Sequence, residues 1–157
     1  IIMRNKKRLI ISQLDEKLQV FRTAAKVRVP HAGWIVAIRS ALNMTLEQFG
    51  ERLGISKEGV YKLEKREASG AITLNSLRDA ANALDMQLVY AVIPKEESLE
   101  AQTRTQARLL AAKIILKTNQ HMKLEAQEVG TEKLRKAIDE AAEELMNNMD
   151  RQIWHLK

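Results

Sequence analysis

The sequence predicts a mainly α-helical fold, a bundle of short helices flanked by further helices and followed by one short β-strand. Three observations carry this expectation. Apolar residues recur at steps of three and four along most of the chain, the repeat of a helix that buries one face. Hydrophobic residues make up 45% of the 157 residues but aromatic ones only 4%, which suits aliphatic helix packing better than a sheet sandwich. Residues 44–66, MTLEQFGERLGISKEGVYKLEKR, read as two short helices joined by a tight turn.

A first helix is expected over residues 8–26, where Ile11, Leu14, Leu18, Phe21 and Ala25 form an apolar seam. Pro30 disfavours helix at Val29 and ends it. Residues 31–42 give an amphipathic helix with Ile35, Ile38 and Leu42 on one face. Thr45, with Gln48 three residues on, is a capping-box start for residues 45–53. Gly54 supplies the left-handed stop, and Ser56 caps a helix over residues 57–65. Leu46, Phe49, Leu53, Ile55, Val60 and Leu63 fall where these two helices face each other and a shared core. After the Ser69-Gly70 turn, Thr73 caps residues 74–84, with Leu77, Ala80, Ala81 and Leu84 inward.

Residues 86–93 form a β-prone run stopped by Pro94, and such a strand needs a partner for its edge. A symmetry mate or intrachain cover would supply one. Ser98 caps a helix over residues 99–117. Residues 118–130 read as a loop with a short helix, and Thr131 caps a last helix bearing Leu134, Ile138, Ala141, Leu145, Met149 and Ile153, anchored by Trp154. The expected organisation is a basic N-terminal helix (1–30), a central domain with its trailing strand (31–95) and a helical partner or dimerisation region (96–157).

Two helices joined by a glycine turn, with the second offered outward, make a helix-turn-helix, which places that second helix in a DNA major groove. With its neighbours, the stretch resembles the Cro/repressor-type (XRE) helix-turn-helix family, implying a lambda-repressor-like bundle of four to five helices. The resemblance implies a buried ion pair between Arg39 and Glu64, read as structural. It also implies base-edge contacts by Lys57, Glu58, Gly59, Tyr61 and Lys62. Lysine donates to guanine O6 and N7, and glutamate accepts from cytosine N4. The family often has glutamine where Lys57-Glu58 stands, so the preferred bases are unreadable. Thr45, Ser56, Lys65 and Arg66 are candidate phosphate contacts. Gly59, costly inside a helix, serves either close DNA approach or packing against Phe49 or Trp34. Binders of this class dimerise on palindromic sites, so a homodimer on double-stranded DNA is expected.

The segments GWIVAIRSALNMTLEQFGERLGIS and YKLEKREASGAITLNSLRDAANALDMQLVYAVIP, with the helical tail, resemble the family called mobile mystery protein A. That resemblance implies an autorepressing, antitoxin-like regulator partnered by a Fic-domain protein. Many Fic inhibitors carry Ser or Thr, three residues, Glu, then Gly or Asn. Ser12 and Glu16 match in part, but Lys17 breaks the last slot and Leu14 belongs to the apolar seam. The rival reading is an interaction module that inhibits a partner enzyme by direct contact, with the helix-turn-helix as scaffold. A general nucleoid-like binder is disfavoured by the small net charge of the central domain.

The chain's net charge of +6 is concentrated at its start. Residues 1–30 hold eight basic and two acidic side chains, so the remainder sums to zero. This segment reads as an arm attracted to phosphate or as a solvated helix face. Met3 is the expected natural start. The absence of cysteine excludes disulfides and thiolate chemistry, and no apolar run reaches membrane-spanning length, so a cytoplasmic protein is expected. His31, His121 and His155 lack metal-ligand spacing, and His121 with Glu125 does not make a site. No catalytic constellation and no cofactor are expected; Glu140, Glu143 and Glu144 read as a solvated face.

Overall fold

Seven α-helices account for most of the chain in a computed structural model, which describes residues 2–118 and 130–155. They are α1 (Ile2–Gln19), α2 (Trp34–Ala41), α3 (Leu46–Leu53), α4 (Lys57–Ser69), α5 (Leu74–Ala83), α6 (Leu99–Thr118) and α7 (Gly130–Asn148). Short 3₁₀ turns occupy Ala24–Lys26 and Arg151–Trp154. The chain divides into two units, one of Thr23–Ala91 and one joining Ile1–Arg22 to Val92–Lys157.

The first unit contains α2 to α5, and its helix ends follow from local chemistry. Thr45 Oγ1 accepts from Gln48 N at 3.1 Å while Gln48 Oε1 accepts from Thr45 N at 2.9 Å, a complete capping box. Ser56 and Thr73 cap α4 and α5 by accepting from Gly59 N and Ser76 N. Gly54 and Gly70 take left-handed φ at the ends of α3 and α4, as Asn43 and Asp85 do after α2 and α5. Phe49, Val60 and Ala80 are fully buried, and Ile35, Leu63 and Leu84 complete the core. Two residues expected inside are not: Leu42 is 52% exposed and Ile55 is 41% exposed. Leu42 is the residue at which α2 stops, and Ile55 lies in the turn, so neither continues an inward helical face.

The second unit is α1, α6, α7 and the final 3₁₀ turn. Its buried core is mostly alanine, from Ala107, Ala111 and Ala142, together with Met146 and Ile153. Small side chains let α6 and α7 approach closely, and Arg104–Glu143 and Arg108–Asp139 bridge them at 3.5 and 2.7 Å. Asp15 of α1 caps α6 from outside, its two carboxylate oxygens accepting from Leu99 N at 2.7 Å and Glu100 N at 3.2 Å. Ser98 adds the expected cap through Ala101 N. Arg8 donates to Asn147 Oδ1, and Arg22 donates to the Glu96 carbonyl. Two of the eight basic residues near the N-terminus therefore hold this unit together.

Several expectations are corrected. Residues 86–94 form no strand; the run is irregular, with Val89, Tyr90 and Val92 exposed. Strand propensity needs a neighbouring backbone to pair with, and among the described residues none pairs with this run. The first helix ends at Gln19 instead of residue 26, and Leu14 and Ala25 of its seam are exposed. The last helix ends at Asn148, where Met149 takes φ 48° and Asp150 caps a 3₁₀ turn through Gln152 N. That turn buries Ile153 and leaves Trp154 56% exposed, so isoleucine anchors the end. Thr131 lies within α7 rather than capping it. The loop expected at 118–130 is helical at both ends; residues 119–129, including His121 and Glu125, lie outside the described residues. Among the described residues, no helix is long and apolar enough to cross a membrane.

Candidate nucleic-acid interface

Helix α4 has two unlike faces. Val60, Leu63 and Glu64 are buried, while Lys57, Glu58, Tyr61, Lys62, Lys65 and Arg66 are exposed on the rest of its surface. The buried face fixes the exposed one. Val60 and Leu63 belong to the core, and Glu64 accepts a two-point ion pair from Arg39 of α2, with Nε–Oε1 at 2.6 Å and Nη2–Oε2 at 3.3 Å. The remaining Arg39 nitrogen donates to the Met44 carbonyl at 2.8 Å, so the guanidinium also holds the α2–α3 connection just before the cap of α3. A charge pair this buried locks geometry; removing one partner costs roughly 3–5 kcal/mol, because the other stays desolvated.

Sequence reasoning missed two further fixtures. Glu67 of α4 reaches the first turn of α2, accepting from Trp34 N at 2.7 Å and Ile35 N at 3.0 Å. It replaces the side-chain cap that Gly33 cannot provide. No sequence spacing announces a cap supplied by another helix. The second is Gly50, buried in α3, where an added Cβ would stand 2.6 Å from the Ile55 carbonyl oxygen. Its position inside a helix, where glycine costs about 1 kcal/mol relative to alanine, was the available signal.

Gly59 is different. A Cβ there would meet Ile55 and Ser56 at 3.4 Å, ordinary contact rather than collision, and neither Phe49 nor Trp34 is the neighbour. Gly59, Tyr61, Lys62, Lys65 and Arg66 together line an open groove of about 460 Å³ along α4. Lys65 Nζ lies 5.3 Å from the Tyr61 ring centroid, a cation–π arrangement that orders both exposed side chains. Thr45 and Ser56 stand exposed at the starts of α3 and α4. Each hydroxyl accepts a backbone N–H and still carries an O–H donor.

Lys57 is tied to the neighbouring helix. Its ammonium sits 3.0 Å from the Glu47 carboxylate in the first turn of α3. The hydrogen bond from Lys57 draws the Glu47 carboxyl below its ordinary value, and the reciprocal bond raises the Lys57 ammonium above its own. Both groups remain in solvent, so the pair fixes a position more than it adds stability. The face as a whole is cationic, with Lys57, Lys62, Lys65 and Arg66 against Glu58. Ser12 and Glu16 are exposed one turn apart on α1, in the other unit.

Residues 35–90 match a protein-family model described as Helix-turn-helix, which supports a DNA-binding regulator of the XRE type in this part of the chain. The match spans α2 to α5 and the run that follows. No curated protein and no solved structure matches the chain.

Proposed function

We propose that the protein is a sequence-specific DNA-binding transcriptional regulator that represses its own operon. The observation that carries this reading is the cationic outer face of α4, presented by a helix whose inner face is locked by Arg39–Glu64 and the core. Lys57, Glu58, Tyr61 and Lys62 read base edges in the major groove, and Lys65, Arg66, Thr45 and Ser56 engage phosphates. Gly59 keeps α4 bare where the helix comes closest to DNA, since nothing inside the protein demands glycine there. The protein acts as a homodimer, because one such domain buries little surface and a palindromic site doubles the contacts.

The second unit supplies the partner role. Support comes from its exposed large apolar residues, including Leu9, Ile10 and Leu14 on α1 and Leu109, Ile114 and Leu116 on α6. The resemblance to mobile mystery protein A makes a Fic-domain protein the partner, which gives the system an antitoxin-like character. Direct inhibition through Ser12 and Glu16 is the subsidiary reading, supported by their exposure on one side of α1.

Binding of the full chain to its own upstream DNA, against a scrambled duplex of equal length across a salt series, tests the main reading. A preference of ~10³-fold or more that survives moderate salt is expected of a site-specific regulator. Equal affinities that vanish together as salt rises would make partner contact the main function and the helix-turn-helix its scaffold.

A further inference from the structure

We infer that Glu47 is a positioning residue for base recognition, holding the Lys57 ammonium so that the pair, rather than the lysine alone, selects a base. This rests on the reading of α4 as the DNA-recognition helix. Glu47 and Lys57 occupy the first turns of α3 and α4, ten residues apart across the turn, and meet at 3.0 Å while each side chain stays about half exposed.

The physical argument begins with lysine itself. A free lysine is a flexible point charge with a four-carbon stem, and it discriminates poorly because its ammonium can settle on any nearby acceptor, phosphate included. Glu47 removes that freedom. Its carboxylate accepts one of the three ammonium N–H donors and leaves two, the number needed for guanine O6 and N7. The backbone of α3 is itself fixed at this point by the Thr45–Gln48 capping box, so the carboxylate is held on a rigid base.

The same carboxylate opposes indiscriminate binding. A negative charge at the edge of a phosphate-facing surface repels the DNA backbone wherever Lys57 finds no base acceptor to share. Both groups are ionised at neutral pH already at their ordinary values, and their mutual hydrogen bond displaces each further in that direction. Glu47 thus weakens non-specific affinity and sharpens discrimination at one base pair.

Selection from a randomised duplex library with the full chain, followed by titration on the selected site and its single-base variants, tests this. Wild type is compared with Glu47→Gln, Lys57→Ala, the double variant and the exchanged pair Glu47→Lys/Lys57→Glu. The pair is exposed, so thermal unfolding is expected to differ little among them, and that measurement is run beside the binding. Glu47→Gln is expected to bind scrambled DNA several-fold tighter and to lose preference at a single base pair. Lys57→Ala is expected to lose preference at that same base pair, with the double variant no worse. The exchanged pair restores the bridge but places glutamate on α4, so preference there should move from guanine to cytosine. If Glu47→Gln shifts affinity equally on every duplex and leaves the selected sequence intact, Glu47 is only a local charge and the inference is overturned. If wild type selects no sequence at all, the recognition-helix reading fails first and takes the inference with it.

Discussion

The two units solve the same packing problem with different materials. In Thr23–Ala91, Phe49, Val60, Leu63, Ile35 and Leu84 fill one core, and polar fixtures at Glu64 and Glu67 set the helix angles. In the unit built from both ends of the chain, three alanines with Met146 and Ile153 form the buried core, while leucines and isoleucines on α1 and α6 face outward. The first arrangement makes a rigid presenter for one surface helix. The second brings its helices together through small side chains and holds less apolar volume inside.

Substitutions can break or sharpen that contrast. The largest effect is expected from Glu64→Ala, which leaves Arg39 desolvated; urea unfolding should show a loss of about 3–5 kcal/mol, while replacing both residues with apolar ones should come close to neutral. In the other unit, Ile153→Ala should cost about 2–5 kcal/mol, read as faster hydrogen exchange in α6 and α7. Equal exchange to wild type would mean that the alanine contacts alone hold those helices. Gly50→Ala drives a Cβ into the Ile55 carbonyl and should lower stability by about 1–3 kcal/mol, whereas Gly59→Ala should leave stability unharmed and weaken DNA binding. Asp15→Ala removes a cap on α6 and should cost about 0.5–2 kcal/mol, detected first as exchange at Leu99 and Glu100.

The smallest effect is in pH. The folded Glu47 carboxyl titrates below its ordinary value, so its contribution is present above that value and fades as pH falls through the folded one. The folded Lys57 ammonium titrates above its ordinary value, so its share is full below that value and fades only as alkaline pH passes the folded one. Carboxyl titration by NMR should show Glu47 returning toward its ordinary value in Lys57→Ala.

Local rules made the central helices readable. Thr45, Ser56 and Thr73 announced their helices because a cap acts within three residues, and Gly54 announced a stop because few other residues accept its φ. The exposed residues of α4 followed from its period once Val60 and Leu63 were assigned inward. The run at residues 86–93 misled because β propensity describes a residue's fit to a sheet, and the sheet has to come from elsewhere. The last helix misled because Met149 adopts a left-handed turn that its side chain does not advertise.

The sequence by itself determined where α3, α4 and α5 begin, where the turn falls and which side of α4 is cationic, because each depends on residues a few positions apart. Helix α2, expected from residue 31, begins at Trp34. Only the tertiary structure decided that Glu67 caps α2, that Asp15 caps α6, that Gly50 must lack a side chain and that Glu47 holds Lys57. Those contacts join residues from 5 to 85 positions apart. Their partners become neighbours only after the helices have packed, and no local pattern encodes that distance.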